Sequence, residues 1–266
     1  MFDAISKLKH NDKSYEQRRR ALNHWYCGDT GQQFLDLAQP RLTEVLANFF
    51  GYSLLQVGVL GTADLLGQSR IKQRIILDSD RDVQPQPHLL LPGEVNKLPI
   101  VTDSIDVVVL PHTLEIHEQA HQVLREVDRV LVPEGHVVVM GFNPYSLWGT
   151  TMWLQRLVNR LPWHGRFLSP RRVKDWFRLL GYDIEHLESY FYRPALRHPK
   201  VMSKFMGMER WGARYWPILG GGYILVARKQ VITPTPIRPS WQVQRQFGAL
   251  GATQSTMQRE SDSEKN

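Results

Sequence analysis

The chain has little sulfur to cross-link: Cys27 is its single cysteine in 266 residues. One thiol makes neither an internal disulfide nor a cysteine-based metal site, so a reducing, cytoplasmic setting is expected. Long apolar runs are absent as well. With no stretch of about 18 apolar residues, no membrane span is expected. The amino-terminal residues carry Asp3, Lys7 and Lys9 and no apolar segment, so no secretory signal is expected either. Acid is the scarcer charge, with 26 Asp and Glu against 33 Lys and Arg and a formal net charge of +7. That balance suits nucleic acid, an anionic membrane surface or a phosphate-bearing molecule. The densest basic run, Arg18-Arg19-Arg20, reads as a solvated helix face. The histidines lack partners at ligand-like spacing, and no metal site is expected.

What is present fits one α/β domain with added segments. Hydrophobic residues make up 42%, enough for a sizeable core. Residues 1–50 read as a helical cap. Phe34, Leu37, Leu42, Val45, Leu46 and Phe49 form its apolar stripe, with Pro40 expected to kink or split the helix and Gly51 to stop it. From 51 to 229 short apolar runs alternate with helical patterns. Strands are expected at Ser53–Gly58, Arg74–Asp78, His88–Leu91, Ile105–Leu110, His136–Phe142, Asp183–Phe191 and Tyr223–Arg228. Their near-continuous apolar character implies burial on both faces, as in a parallel sheet. Ala120, Val123, Leu124, Val127, Val130 and Leu131 share one helix face, and Pro133-Glu134-Gly135 turns the chain into the next strand. A further helix is bounded by Ser169 as cap, Pro170 at its first position and Gly181 as stop. The β-α-β order argues for a doubly wound sheet. Two aromatic-rich stretches, 145–167 and 192–222, stand outside the alternation as lid insertions over the sheet's carboxyl edge. The proline-bearing, polar segment 230–266 reads as a flexible tail.

The stretch Leu98–Pro144, LPIVTDSIDVVVLPHTLEIHEQAHQVLREVDRVLVPEGHVVVMGFNP, resembles the class I methyltransferases of the type 11 group. It shares their LPF-like entry, their FD-bearing strand, their H-x-LEH-like loop and their LRE-x-x-RVL-x-PGG helix and turn. The GFNPYSLWG segment and RRVKDWFRLLGY look like an uncharacterised bacterial branch. The resemblance implies a mostly parallel, seven-stranded Rossmann-like sheet and S-adenosylmethionine as methyl donor, bound outside the carboxyl ends of the strands. It assigns the first turn, Gln56-Val57-Gly58-Val59-Leu60-Gly61-Thr62, to the donor's methionine part. Gly58 matches the first glycine of the family's loop, while Leu60 and Thr62 replace the second and third. Gly61 is displaced by one position, and Gln56 replaces the acid that faces the donor's ammonium. Asp78, 20 residues after Gly58, is the implied ribose acceptor, with Asp80 and Asp82 as competitors. Glu94 and Val95 are the implied adenine contacts, Pro111 lines the loop after the fourth strand, and His112 is the candidate catalytic base. Plainer readings stand beside each: a tight turn, an exposed turn aspartate, a solvated glutamate, a structural histidine. His117 and His121 read as surface residues.

Methyl transfer from a sulfonium needs mainly a well-positioned acceptor, so a missing catalytic dyad does not argue against it. The expected acceptor is small or medium, under a lid carrying Trp148, Trp153, Trp163, Trp211, Tyr215 and Trp216. Those aromatics also suit a plain cover for the sheet. Rival readings are a non-catalytic binding or scaffold protein of the same fold, a nucleic-acid methyltransferase and a nicotinamide-nucleotide oxidoreductase. Asn143-Pro144-Tyr145 mimics the Asn-Pro-Pro-Tyr motif of nucleic-acid enzymes but follows the wrong strand. The NAD reading lacks the third glycine of the dinucleotide fingerprint. Leu147–Leu161, with Arg156 and Arg160, has the composition of a segment resting on a membrane surface.

Overall fold

A computed structural model of the chain describes residues 15–79, 87–157, 165–193, 212 and 214–230. Asp80, Asp82, Trp163, Trp211, much of the 192–222 stretch and the tail from 231 lie outside the described residues. The strands are β1 (Ser53–Val57), β2 (Gln73–Asp78), β3 (Leu89–Pro92), β4 (Ile105–Pro111), β5 (Leu131–Phe142), β6 (Tyr182–Tyr190) and β7 (Gly222–Lys229). They form one sheet in the order β3-β2-β1-β4-β5-β7-β6. Strands β1 to β5 are parallel, and β7 runs antiparallel between β5 and β6. This is the expected doubly wound, mostly parallel, seven-stranded sheet. Its order reverses between β1 and β4, where a crevice opens at the carboxyl ends.

The apolar runs bury as a parallel sheet requires. Every residue of β1 is buried, and in β4 only Asp106 is not. Asp106 has a reason to be there: its Oδ2 accepts the amide N–H groups of Tyr52 and Ser53 and fixes the entry to β1. Strand β3 departs from two-sided burial. At the sheet's edge only one neighbour covers it, and Leu89 is exposed.

The helices are α1 (15–26), α2 (Asp29–Ala47), α3 (Thr113–Ile116), α4 (Ala120–Val130), α5 (Leu147–Leu157) and α6 (Pro170–Leu179). In α4 the buried residues are Ala120, Val123, Leu124, Val127 and Val130, the expected face. Helix α6 begins as its sequence dictates. The Ser169 side chain accepts the Arg172 N–H, Pro170 sits where no amide is needed, and Gly181 follows at φ +81°.

Three expectations need correction. Helix α2 runs through Pro40 without splitting in two and ends at Ala47, with Asn48 as its cap, not at Gly51. Both Pro40 and Asp36, whose carbonyl loses its partner to the proline, are exposed, so the missing bond falls on the solvent side of the helix. Strand β5 starts at Leu131, opposite Ile105. The Pro133-Glu134-Gly135 turn is a bulge inside its pairing, with Glu134 at φ +62°. His117 is buried rather than superficial, its Nδ1 accepting the Gln119 N–H.

Helices α1 and α2 contribute Leu22, Tyr26, Phe34 and Leu42 to the same buried core as the sheet. Above the carboxyl ends of β5 and β6, beside the amino end of β7, the rings of Phe34, Phe142, Trp148, Tyr190 and Phe191 pack on one another. Gly141 lies under the Tyr223 ring: a Cβ there would stand 2.4 Å from the ring and its hydroxyl oxygen. That hydroxyl donates to the Leu168 carbonyl at 3.0 Å. No helix among the described residues is long and apolar enough to cross a membrane. In the proposed surface segment, Trp148 is fully buried, and the side chains from Trp153 onward lie outside the described residues.

Candidate active site

The turn after β1 does what its glycine allows. Gly58 adopts φ +92° and donates its N–H to the Leu77 carbonyl at 2.6 Å, drawing the turn onto the end of β2. There Asp78 is buried, with Oδ2 accepting the Val59 N–H at 2.8 Å. Gln56, also buried, spends its Nε2 on the Gly58 carbonyl at 2.8 Å. Thr113 ties β4 to β1 through its hydroxyl on the Val57 carbonyl. Gln56, Gly58, Asp78 and Pro111 are thus brought together. Val95 is buried nearby, since Gly93 donates to the Asp78 carbonyl, but the Glu94 side chain is exposed and stands outside the cluster. Leu60 is fully buried.

The space above Gly58 holds Arg19. A Cβ on Gly58 would stand 1.8 Å from Arg19 Nη2, so the guanidinium lies directly on the glycine. Nη1 donates to the Pro111 carbonyl at 2.7 Å, and Nε lies 4.0 Å from Asp78 Oδ2, both side chains fully enclosed. Nε and Nη2 find no hydrogen-bond partner. The arginine run is therefore not a uniform solvated face: Arg20 is exposed, whereas Arg19 is buried at the centre of the site. The signal that separates them is helical register. Tyr15, Arg19, Leu22 and Tyr26 recur at helix spacing and are all buried. Further along the same helix, Asn23 Oδ1 accepts the Gly61 N–H at 3.1 Å.

His112 sits at the end of β4 in the left-handed region, φ +57°, a strained setting for a histidine. Its Nε2 lies 2.7 Å from the Tyr26 hydroxyl, and its Nδ1 lies 2.7 Å from Glu115 Oε2. Glu115 Oε1 accepts the Phe142 N–H at 2.6 Å, and the Phe142 ring stacks on His112 with centroids 3.9 Å apart. Burial sets the electrostatics of this row. It holds His112 well below its ordinary pKa, with the Arg19 charge adding to the effect, and pushes Glu115 well above its own. Tyr26 is raised for the same reason. The imidazole is thus held neutral and oriented, with a carboxyl on one ring nitrogen and a phenol on the other. Arg19, Asn23, Tyr26 and Glu115 were not picked out by sequence reasoning.

An open cavity of about 440 Å³ lies on the far side of β5. Tyr145, Leu187, Pro217 and Ile218 give it apolar walls, and Arg171 and Lys174 give it charge. Asn143, also on its lining, spends its amide on backbone: Nδ2 donates to the Ile218 and Gly220 carbonyls, and Oδ1 accepts the Tyr145 N–H. The motif-like Asn143-Pro144-Tyr145 therefore acts as a loop clamp. Among the described residues, no cluster of His, Cys, Asp and Glu is suited to hold a metal.

Residues 71–139 match the family model described as a methyltransferase domain. Over those residues, about a quarter of the chain, the sequence is similar to that methyltransferase domain. The chain is 28% identical over 227 residues to the Escherichia coli protein YafS, described as uncharacterised, covering 84% of this chain and 88% of that one. An S-adenosylmethionine-dependent methyltransferase of Thermotoga maritima superposes with a TM-score of 0.58 at 16% identity, over 82% of this chain and 100% of that one. One from Archaeoglobus fulgidus gives 0.52 at 18% identity, over 72% and 93%. These structures share the fold of the methyltransferase domain.

The crevice fits that family's donor unevenly. Its floor fits: Asp78 offers a buried carboxylate beside a glycine turn at the switch point. Its methionine end does not. Gln56 stands in place of a carboxylate, with Nε2 on the Gly58 carbonyl and Oε1 buried without a hydrogen-bond partner, and the Arg19 guanidinium fills the room over the glycine.

Proposed function

We propose that this methyltransferase domain, once its crevice is open, moves a methyl group from S-adenosylmethionine to a small or medium acceptor. The observation that carries this reading is the buried Asp78 carboxylate, positioned by the Val59 amide at the reversal point of the strand order. In the reading, Asp78 receives the ribose hydroxyls and the Gly58 turn faces the methionine part. Val95 lines the adenine side and His112 orients or deprotonates the acceptor. The cavity beyond β5 suits an acceptor with an apolar body and an acidic group, since Arg171 and Lys174 face it and no carboxylate is among its described lining.

The test is equilibrium binding of labelled S-adenosylmethionine and its demethylated product to the full chain, with Asp78→Asn as comparison. Binding to the wild type that is lost in the variant supports the site; binding that is unchanged in Asp78→Asn removes the assignment. A second reading is a non-catalytic binding protein on the same fold, favoured by Arg19 filling the methionine end. Absence of donor binding, even in variants with that end cleared, would establish it.

A further inference from the structure

The crevice closes around a segment of the chain itself. Three side chains of α1 fall on groups that the donor or the acceptor would need. Arg19 covers Gly58, approaches Asp78 and donates to the Pro111 carbonyl. Asn23 accepts from Gly61, and the Tyr26 hydroxyl meets His112. Arg18 reaches the Ile116 carbonyl and pairs with Glu118, holding the helix at the rim. One helix thus grips the turn after β1, the end of β2, the end of β4 and the loop beyond α3.

We propose that α1 is a resident occupant of the donor crevice, and that Arg19 decides whether the donor enters. The inference rests on the methyl-transfer reading above. Donor and helix exclude one another because they need the same volume. The guanidinium lies on the glycine that would cradle the donor's methionine part. Its terminal nitrogen stands 1.8 Å from where a Cβ on Gly58 would be, so no room is left over the turn while the side chain stays. The seat is also imperfect. Arg19 Nε and Nη2 are buried without hydrogen bonds, so the closed arrangement carries polar groups that opening would return to water. Apparent donor affinity then equals intrinsic affinity scaled by the fraction of molecules with α1 withdrawn.

The experiment titrates the demethylated product of the donor into full-length wild type, Arg19→Ala and Arg19→Met by calorimetry. In parallel a nitroxide on Cys27, the single cysteine, exposed just beyond α1, reports local mobility. Arg19→Met keeps side-chain length without charge, so it decides the question if Arg19→Ala fails to fold. The expected result is affinity about tenfold or more tighter in the Arg19 variants, with ligand raising the mobility of the label in the wild type. Equal affinities with an unchanged label would overturn the occupant while leaving donor binding standing. Tighter binding with an unchanged label would overturn displacement of α1. No binding to any of the three proteins would overturn both this inference and the methyl-transfer reading.

Discussion

The carboxyl edge of the sheet presents two hollows with opposite fates. Between β1 and β4 the hollow is filled by α1, polar group against polar group, down to a guanidinium resting on a glycine. Beyond β5 a hollow of about 440 Å³ stays open, lined by apolar side chains and two cations. The difference lies in where the chain spends buried charge. The filled hollow encloses Arg19, Asp78 and Glu115, while the open one keeps Arg171 exposed at its mouth. Closure by charged side chains ties the stability of the fold to the contents of the crevice. The open cavity places no such constraint.

The comparison breaks most sharply at Asp78. Asp78→Ala leaves Arg19 enclosed without its counter-charge and should destabilise the fold by about 3–5 kcal/mol, measured by urea unfolding. Adding Arg19→Met should restore much of that loss, because the pair, not the carboxylate alone, requires compensation. Tyr26→Phe removes the hydroxyl that meets His112 and should cost about 1–3 kcal/mol. An unchanged midpoint would show that the row from Tyr26 to Glu115 is not what seats the helix.

Proton linkage sharpens the same contrast. Burial holds His112, His117 and His136 below their ordinary pKa. The unfolded chain takes up protons through about pH 6.5 where the fold does not, so their contribution is whole above that value and declines as pH falls below it. Glu115, raised by burial, has the opposite sign: its contribution is present below its unfolded value and lost as pH rises through the folded one. Unfolding midpoints between about pH 5 and 8 should therefore fall toward the acid side, less steeply in His112→Gln. At the open hollow effects are smaller. Ser169→Ala removes the α6 cap and should cost about 1 kcal/mol. Arg171→Gln should change stability by no more than about 0.5 kcal/mol, and a larger loss would mean that the cavity, too, is braced by charge.

Much of the frame was legible because it follows local rules. Apolar runs flanked by Gly, Pro or Asp became strands, and Ser169-Pro170 with Gly181 bounded α6. The errors sit where tertiary context overrides a local signal. Proline breaks helices in general, but Pro40 and the Asp36 carbonyl it leaves without a partner lie on the exposed face, and the helix runs on. The Pro133-Glu134-Gly135 turn looked like an end and proved to be a bulge, because its flanks stay paired with β4. Gln56, Gly58, Asp78, Pro111 and His112, singled out by their positions at or just beyond strand ends, lie together in the structure. Glu94 was placed on the right loop but faces solvent. Arg19 escaped notice because three consecutive arginines look alike in composition. Only the spacing from Tyr15 to Tyr26 singles out the middle one, and composition says nothing about which crevice that stripe would meet.

The bare backbone at Gly141 reaches further than its size suggests. By admitting the Tyr223 ring flat against β5, it lets that phenol fasten the Leu168 carbonyl, one residue ahead of the serine that starts α6. A methyl group added at this position would tilt the aromatic plate and loosen the strut beneath the mouth of the outer cavity. The bore of that opening is therefore governed from inside the sheet, by a position that has no side chain at all.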